Sequence, residues 1–386
     1  MADWRPALLA ALGGAFASVA APAKAGPDPI GAGGSDPTLD ETFQRGQAVA
    51  VETDPGFVIF PIPISNPTVG SGLGLGAGLI YRTDEQSAPS YSGVGGLLTN
   101  SLTWGVGALQ YLSLDADRYR LSFGLGYASV HYDFFGAGSD AGERGRSIPI
   151  LQKGYFTNPW AEVRIADDLY LGLQYRLIEA RTQVDADDRG GPIARLLDGR
   201  QADFISSGFG PILDWDTRDD PFWPHEGHLL HAQWLFASGK IFSDFDYRKG
   251  LVSFSSFHEV FEDGILAARL AGCFAGGEVP AIDLCLFGAH NDLRGYETGR
   301  YRDETSLALQ VEQRWKFAER WGVVGFAGIG DIGSNLGDAL GSEPLASAGL
   351  GLRFQASASY RVNFAIDGTV NLDGESSLYF RIGEAF

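Results

Sequence analysis

Alternation of apolar and polar residues with a period of two runs from residue 56 to the end of the chain. In residues 171–177 (LGLQYRL) the apolar side chains occupy one face, and the pattern returns at 307–312, 362–367 and 376–386. Successive side chains of a β-strand point to opposite faces, so this pattern predicts strands with one apolar face. No stretch has the period of a long amphipathic helix. The sequence therefore predicts an all-β fold.

Composition excludes several classes of protein, whereas alternation alone does not separate a membrane barrel from a soluble sandwich. Only 20% of the residues are charged, and 53 of the 386 are glycine. Average chains contain more charged residues, about 25%, and less glycine, about 7%. A content of 45% hydrophobic residues excludes a disordered chain. Beyond the extreme N-terminus no apolar run reaches about 18 residues, which excludes a multi-helix membrane protein. Alternating segments of about ten residues are typical of a transmembrane β-barrel.

We predict an antiparallel transmembrane β-barrel of sixteen strands. The predicted strands are residues 70–82, 92–100, 103–114, 118–128, 130–138, 152–166, 169–183, 205–219, 227–239, 247–261, 264–276, 305–317, 321–333, 345–355, 360–371 and 376–386. An even count places both chain ends on one side of the membrane. Short connections at 167–168 and 262–264 predict periplasmic turns, and long polar ones at 185–204 and 277–304 predict extracellular loops.

The N-terminus has the features of an export signal. Residues 1–25 are predicted to be a signal peptide, because an apolar small-residue stretch precedes Ala23-Lys24-Ala25, which fits a cleavage site. Residues 26–55 are rich in Gly, Pro and Asp without periodicity and are predicted to form a flexible periplasmic leader. The barrel domain is predicted to occupy residues 56–386.

Charge and cysteine content limit the partners and the redox state. The chain has 48 acidic and 29 basic residues, a net charge of −19, which argues against nucleic acid as a partner. Its two cysteines, Cys273 and Cys285, would reach an oxidising compartment after export. We predict a disulfide between them, and the alternative is two unpaired buried thiols.

Three motifs resemble those of one known family. Leu293-Arg294-Gly295-Tyr296 is similar to the (V/I/L)-R-G-(F/Y) motif of the BamA/TamA family of outer-membrane proteins, also called bacterial surface antigens. Asp216-Thr217-Arg218-Asp219, with Pro221, Pro224 and Gly227, resembles the strand-to-turn element of that family. Phe60-Pro61-Ile62-Pro63 resembles the first barrel segment of members that lack periplasmic POTRA domains. The resemblance covers residues 56–386.

This resemblance implies a latch inside the barrel. In the family the arginine motif lies in the sixth extracellular loop, which folds into the lumen, and the arginine pairs with an acid on strand 12 and another on strand 13. Glu312 matches the first acid, and its alternation with Leu309 and Val311 directs it inward. The second position holds Gly328 instead of aspartate, so the latch would depend on Glu312 alone. The alternative for Arg294 is an exposed loop charge.

The resemblance also implies a location and partners. Phe386 resembles the C-terminal aromatic residue that the outer-membrane insertion machinery recognises, although Glu384 stands where an apolar residue is usual. We expect a protein of the bacterial outer membrane that contacts its lipids and lipopolysaccharide and has a role in protein assembly or translocation. The client protein is not defined by the sequence. The alternative is a passive or gated channel for small solutes, which a sixteen-stranded barrel is wide enough to form.

Other motifs give no support to catalysis, a cofactor or a metal. The glycine-rich run 72–79 lacks the helix that a phosphate-binding loop needs, and we interpret it as a strand with glycines in the lumen and leucines toward lipid. His225, His228 and His231 lack the spacing of a helical zinc motif. No nucleophile elbow of the G-x-S-x-G type precedes a helix, so an enzyme embedded in the barrel is the weakest hypothesis.

Overall fold

The computed structural model describes residues 56–66, 68–185, 199–220, 223–287, 293–341, 343–357 and 362–386. The strands are β1 (Gly56–Asn66), β2 (Gly70–Tyr81), β3 (Ser90–Thr99), β4 (Trp104–Leu114), β5 (Tyr119–Phe134), β6 (Ile148–Thr157), β7 (Trp160–Ala166), β8 (Leu169–Val184), β9 (Gln201–Asp216), β10 (Gly227–Ala237), β11 (Tyr247–Phe261), β12 (Gly264–Gly277), β13 (Cys285–Leu286), β14 (Arg302–Asp303), β15 (Thr305–Ala318), β16 (Trp321–Gly333), β17 (Leu345–Ser357), β18 (Val362–Asn371) and β19 (Ser376–Ile382). The helical elements are α1 (Ser139–Glu143), α2 (Leu336–Ala339) and the 3₁₀ turns Gly239–Ile241 and Ala281–Asp283. The predicted signal peptide and leader lie outside the described residues.

All strands except β13 and β14 form one antiparallel sheet that closes into a barrel. Apart from β6 and β7, each strand of this sheet pairs with the next one along the chain, from β1 with β2 through β18 with β19. The long connection between β12 and β15 does not interrupt the sheet, because these two strands pair directly. Closure comes from β19, which lies beside β1. A closed sheet has no free edge, as a bilayer requires of strands that cross it.

One strand position is divided into two pieces. Both β6 and β7 pair with β5 on one side and with β8 on the other, and Asn158-Pro159 separates them. Proline has no backbone N–H, so it interrupts the ladder at this point. The seventeen strands of the main sheet therefore fill sixteen positions within the described residues, and the predicted count is confirmed.

Three predicted strand boundaries are wrong. The first strand is β1, which the prediction omitted, and the predicted strand 70–82 is the second one. The predicted strands 118–128 and 130–138 form the single strand β5, so these two errors cancel in the count. The last strand ends at Ile382, and Gly383–Phe386 lie beyond it.

The two faces of the wall differ as the alternation predicts. Leu73 and Leu75 of β2 are 60% and 59% exposed on the outside of the barrel, where lipid would cover them. Gly74, Gly76 and Gly78 point to the lumen and are buried, which confirms the strand interpretation of the glycine-rich run. No helix within the described part of the chain is long and apolar enough to cross a membrane.

The two-residue turns between the described strands lie at one end of the barrel. Two-residue turns join β7 to β8 and β11 to β12, and their second residues, Asp168 and Asp263, both have φ of +57°. Aspartate tolerates this left-handed conformation better than most residues, so it fits tight hairpins. Short turns are periplasmic in bacterial barrels, and we call this end the periplasmic end. Gly56 and Ile382 lie at the same end, because an even number of antiparallel strands separates them.

Candidate functional site: the sixth loop inside the lumen

The sixth outer loop, residues 278–304 between β12 and β15, turns inward and fills the lumen. Its short strands β13 and β14 pair with each other, and Cys285 of β13 forms a disulfide with Cys273 of β12. The predicted disulfide is confirmed. Leu293 and Tyr296 of the loop are fully buried and pack with wall residues such as Ala308. The structure therefore places the predicted motif within the barrel, and residues 288–292 lie outside the described ranges.

Arg294 is the centre of the loop's contacts with the wall. Its guanidinium pairs with Glu312 of β15, and its Nη1 donates to Oδ2 of Asp367 of β18 over 2.9 Å. The guanidinium carbon also lies 3.5 Å from the centroid of the Phe326 ring of β16. All three charged side chains are fully buried, and a buried arginine is tolerated only when carboxylates compensate its charge. The predicted pair of Arg294 with Glu312 is present.

The latch does not depend on Glu312 alone, and this expectation is corrected. Asp367 supplies a second carboxylate from β18, the fifteenth strand position. The space beside Gly328 of β16 is filled by the sixth loop. A Cβ at position 328 would lie 2.7 Å from Cδ1 of the fully buried Leu293. The loop's leucine thus takes the space that an aspartate at position 328 would need.

The same two acids extend the contacts to three more residues. Glu312 Oε2 accepts from Nε of Arg314 over 2.8 Å, and Asp367 Oδ1 accepts from Nη1 of Arg353 over 2.6 Å. Nε of Arg353 in turn donates to Oε2 of Glu384 over 2.7 Å. We call the following six residues the lumen network: Arg294, Arg314, Arg353, Glu312, Asp367 and Glu384. Its charges balance, with three arginines and three carboxylates.

The segment Gly383–Phe386, which we call the tail segment, bends into the periplasmic mouth of the lumen. Gly383 has φ of +89°, a left-handed conformation that turns the chain out of the line of β19. Nη2 of Arg314 donates to the carbonyl oxygen of Phe386 over 2.6 Å, and the Phe386 ring packs against Trp223 and Phe257. The acid at position 384, unusual for a terminal strand, is explained by its ion pair inside the lumen.

The backbone around Arg294 is also held by the wall. Gly295 has φ of +112°, and its N–H donates to Oη of Tyr379 over 2.9 Å. The carbonyl of Gly295 accepts from Nδ2 of Asn371 over 3.0 Å. Oη of Tyr296 donates to the Ala346 carbonyl over 3.0 Å. Glycine at position 295 is required by this left-handed turn, because other residues adopt it only with strain.

A second anchor holds the start of the loop to the opposite wall. Asp283, in the 3₁₀ turn, pairs with Arg176 of β8 and accepts a hydrogen bond from Oη of Tyr247 of β11. Lys249 Nζ lies 3.7 Å from Oδ1 of the same carboxylate. Although burial acts to raise the pKa of Asp283, the charges of Arg176 and Lys249 outweigh it and lower that pKa. Sequence analysis missed this acid, because nothing in a loop sequence shows which strands it will reach.

The outer end of the loop closes the mouth of the barrel. Arg300 Nη1 lies 2.6 Å from Oε1 of Glu375, and its Nε donates to the Gly142 carbonyl of α1 over 3.1 Å. Glu297 lies three residues before Arg300 in the same loop. Burial raises the pKa of Glu297 to about 7, and the negative charge of Asp133 raises it further. The loop is thus fixed at its start, at its centre and at its outer end.

The strand-to-turn motif forms the periplasmic turn between β9 and β10. Arg218 donates to both carboxylate oxygens of Asp216 over 2.8 and 2.9 Å, and the N–H of Thr217 donates to the His228 carbonyl over 2.9 Å. Asp219 accepts from the N–H groups of His225 and Glu226. These contacts stabilise the turn itself, and Pro221 lies outside the described residues.

Gly227 and Pro224 complete this turn. Gly227 has φ of +105°, and a Cβ there would lie 2.4 Å from the Thr217 carbonyl oxygen, so no other residue fits. Pro224 is buried beside Trp223, at the periplasmic mouth. The motif therefore shapes the mouth near the tail segment.

The histidines near this turn, His228 and His231, lie on opposite faces of β10 and do not form one cluster. His231 Nδ1 lies 2.5 Å from Oδ1 of Asp214 in the lumen, whereas His228 stacks between Trp215 and Phe254. Their side chains point to opposite faces of β10. Within the described part of the chain, no three His, Cys, Asp or Glu residues are grouped as metal ligands.

The fold and this site together define a class of protein: an outer-membrane β-barrel whose sixth loop is latched inside the lumen by a buried arginine. The sequence matches the Omp85 superfamily domain over residues 60–386, and the chain belongs to this superfamily. A search of the curated proteins found no match.

Solved structures share the barrel. BamA from Haemophilus ducreyi lacking POTRA domains 1–3 superposes with a TM-score of 0.58 at 13% identity, covering 84% of this chain and 69% of that one. CdiB from Escherichia coli gives 0.60 at 14% identity, with 86% and 63% covered. CdiB from Acinetobacter baumannii gives 0.55 at 12% identity, with 84% and 59% covered. The chain thus spans between 59% and 69% of the length of these structures, and at such identities the likeness concerns the fold.

Proposed function

We propose that this outer-membrane barrel acts in the assembly or translocation of other proteins. One observation carries this proposal: Arg294 is fully buried between Glu312 and Asp367, so the sixth loop occupies the lumen as a fixed part of the resting protein. A passive channel needs an open lumen, whereas a protein that handles clients benefits from a closed one. Membership of the Omp85 superfamily agrees with this function.

The second candidate is a gated channel for small solutes. The width of a sixteen-stranded barrel favours it, because displacement of the sixth loop would leave space for water. In this alternative the loop is a gate, and Arg294 is its closing contact. Neither candidate assigns catalysis to the barrel or requires a cofactor.

A comparison of cell envelopes separates the two candidates. Cells lacking the protein, cells with the wild type and cells with Arg294→Ala would be compared for folded outer-membrane proteins and for secreted proteins. Glu319→Gln, which changes an exposed residue at the periplasmic end, serves as the control. Assembly or translocation predicts that one or more proteins are depleted without the gene and with Arg294→Ala. An unchanged protein profile together with altered uptake of small solutes would favour the channel instead.

A further inference from the structure

A cavity of about 150 Å³ lies at the periplasmic mouth, beside the tail segment. Its walls come from the turn before β10, the turn after β11 and the strands β15 to β18. The lining includes Trp223, Lys316, Arg320, Trp321, Arg353 and Gln355. The volume has room for a group of several non-hydrogen atoms, since about 10–15 Å³ of such cavity space holds one water.

Positive charge gathers at this cavity in a strongly acidic protein. Lys316, Arg320 and Arg353 line it, and Asp263 is the one carboxylate that does so among the described residues. Lys316 Nζ donates to Oε1 of Gln355 over 3.0 Å, a neutral acceptor. Across the described ranges, neither Lys316 nor Arg320 has a carboxylate within ion-pair distance. A chain of net charge −19 therefore presents two uncompensated cations to this space.

Arg353 contributes a further donor from the wall. Its Nε and Nη1 bind Glu384 and Asp367, and the side chain is 1% exposed. Its Nη2 has no hydrogen-bond partner in the described part of the protein. A buried donor left in this way costs free energy, so an acceptor that enters the cavity would be bound favourably.

The lining offers mainly donors. Lysine, arginine and the tryptophan indole donate hydrogen bonds and accept none. A phosphate group has the complementary chemistry, because its oxygens accept several hydrogen bonds and carry negative charge.

The position of the cavity also agrees with a lipid source for the phosphate. Trp315, Phe317 and Trp321 are 45%, 48% and 42% exposed on the outer face of β15 and β16, at the same rim. Aromatic side chains of membrane barrels form girdles at the level of the lipid headgroups. The cavity is thus at the depth where the phosphates of the periplasmic leaflet lie.

We propose that this cavity is a phosphate-binding site, with Lys316 and Arg320 as the principal ligands, and that a phospholipid headgroup of the periplasmic leaflet occupies it. Lys316 and Arg320 neutralise the phosphate, and Arg353 donates from the lumen side. Trp321, which lines the cavity and is partly exposed at the rim, is the side chain that the glycerol region of the same lipid would contact. Binding here is independent of the assembly or channel role.

Binding to the full-length protein in detergent tests the site. The probes are inorganic phosphate, a short-chain phosphatidylglycerol and a diacylglycerol of the same chain length, which has no phosphate. Titration would be followed by calorimetry and by intrinsic tryptophan fluorescence, to which Trp223 and Trp321 of the cavity contribute. The test variant is Lys316→Gln/Arg320→Gln, and the control is Lys240→Gln/Arg248→Gln, which changes two exposed cations at the outer end.

Phosphatidylglycerol is expected to bind the wild type and the control equally, and to bind the test variant roughly tenfold or more weakly, because charge-assisted hydrogen bonds are lost. If inorganic phosphate binds and phosphatidylglycerol does not, the cavity binds a free phosphate anion, and the phospholipid occupant is overturned. Equal affinity of the test variant and the wild type, or equal binding of diacylglycerol, would overturn the proposal. An unchanged thermal midpoint of the test variant shows that it is folded.

Discussion

Arg294 and Asp367, 73 positions apart in the chain, meet inside the lumen at 2.9 Å. The contact joins the sixth loop to the fifteenth strand position, and it was not expected from the family pattern. It also means that the loop arginine is shared between two carboxylates. Both acids therefore contribute to the latch.

Removal of Arg294 should release the loop. Arg294→Ala leaves Glu312 and Asp367 with less compensating charge, a change that typically costs about 3–5 kcal/mol at a buried site. We expect higher conductance in planar bilayers and faster proteolysis near residue 300. Arg181→Ala, which removes an exposed ion pair with Asp203, is the matched control and should behave as the wild type. Wild-type conductance in Arg294→Ala would show that other contacts hold the loop.

Removal of one acid should have a smaller effect than removal of the arginine. In Glu312→Gln, Arg294 keeps Asp367, and in Asp367→Asn it keeps Glu312. The double variant Glu312→Gln/Asp367→Asn should therefore lose more loop protection than the sum of the two single variants. Proteolysis rates in a double-mutant cycle measure this coupling. Additive effects would contradict a shared arginine.

Exchange of the charges of Arg294 and Glu312 should not restore the latch. Arg294→Glu/Glu312→Arg places an acid beside Asp367 and a second arginine beside Arg314. We expect this variant to be at least as permeable as Arg294→Ala in the same bilayer measurement. Recovery of low conductance would mean that the pair acts alone.

The tail segment should support the sixth loop through Arg353. Glu384→Gln removes the negative charge that pairs with Arg353. Asp367 then becomes the one carboxylate of the lumen network that compensates Arg353, so it interacts less strongly with Arg294, which shares it. We expect faster proteolysis of the sixth loop and a lower thermal midpoint. Glu319→Gln, an exposed acid of the turn between β15 and β16, serves as the control. A destabilised protein whose loop stays fully protected would show that the two ends of the lumen are not coupled.

The outer closure should weaken as pH rises. Because the pKa of Glu297 is raised from 4.5 to about 7, the native loop binds this proton more tightly than the unfolded chain does. Its stabilisation is complete below about pH 4.5 and is lost as pH rises through 7. Glu297→Gln should remove this part of the pH dependence, measured as the difference in thermal midpoint between pH 5 and pH 8. Glu278→Gln, an exposed acid of the same loop, should retain the wild-type difference.

Much of the barrel could be predicted because alternation directly reports which side chains face lipid. The omitted strand β1 contains Pro61 and Pro63, which argue against a strand by local rules but are tolerated beside the closing strand. The prediction divided β5 near residue 129, although β5 has sixteen residues like β8 and β9, which were predicted as single strands. The outer part of β5, with Tyr132 and Phe134, packs on Ala281 of the sixth loop. That contact could not be seen from local sequence.

The site was predictable only in part. Arg294 and Glu312 follow from a motif and from strand parity. Asp367 has the same inward parity in a strand that was predicted, but parity does not show which charges meet across a lumen. Glu384 was visible as an exception to the terminal pattern, and its reason emerged only with the bend at Gly383.

The lumen network begins at the side chain of Glu384, and its last member, Arg314, donates to the carbonyl of Phe386, so the tail segment is contacted at both ends of the network. Its contacts pass through β17, β18, the sixth loop and β15 before they return. During folding, this circuit closes only when β19 has paired and the tail segment has turned inward. Until that step, Arg314 and Arg353 each lack one native partner, and the sixth loop is anchored less firmly. Full occlusion of the lumen therefore marks a barrel in which the last strand is in place.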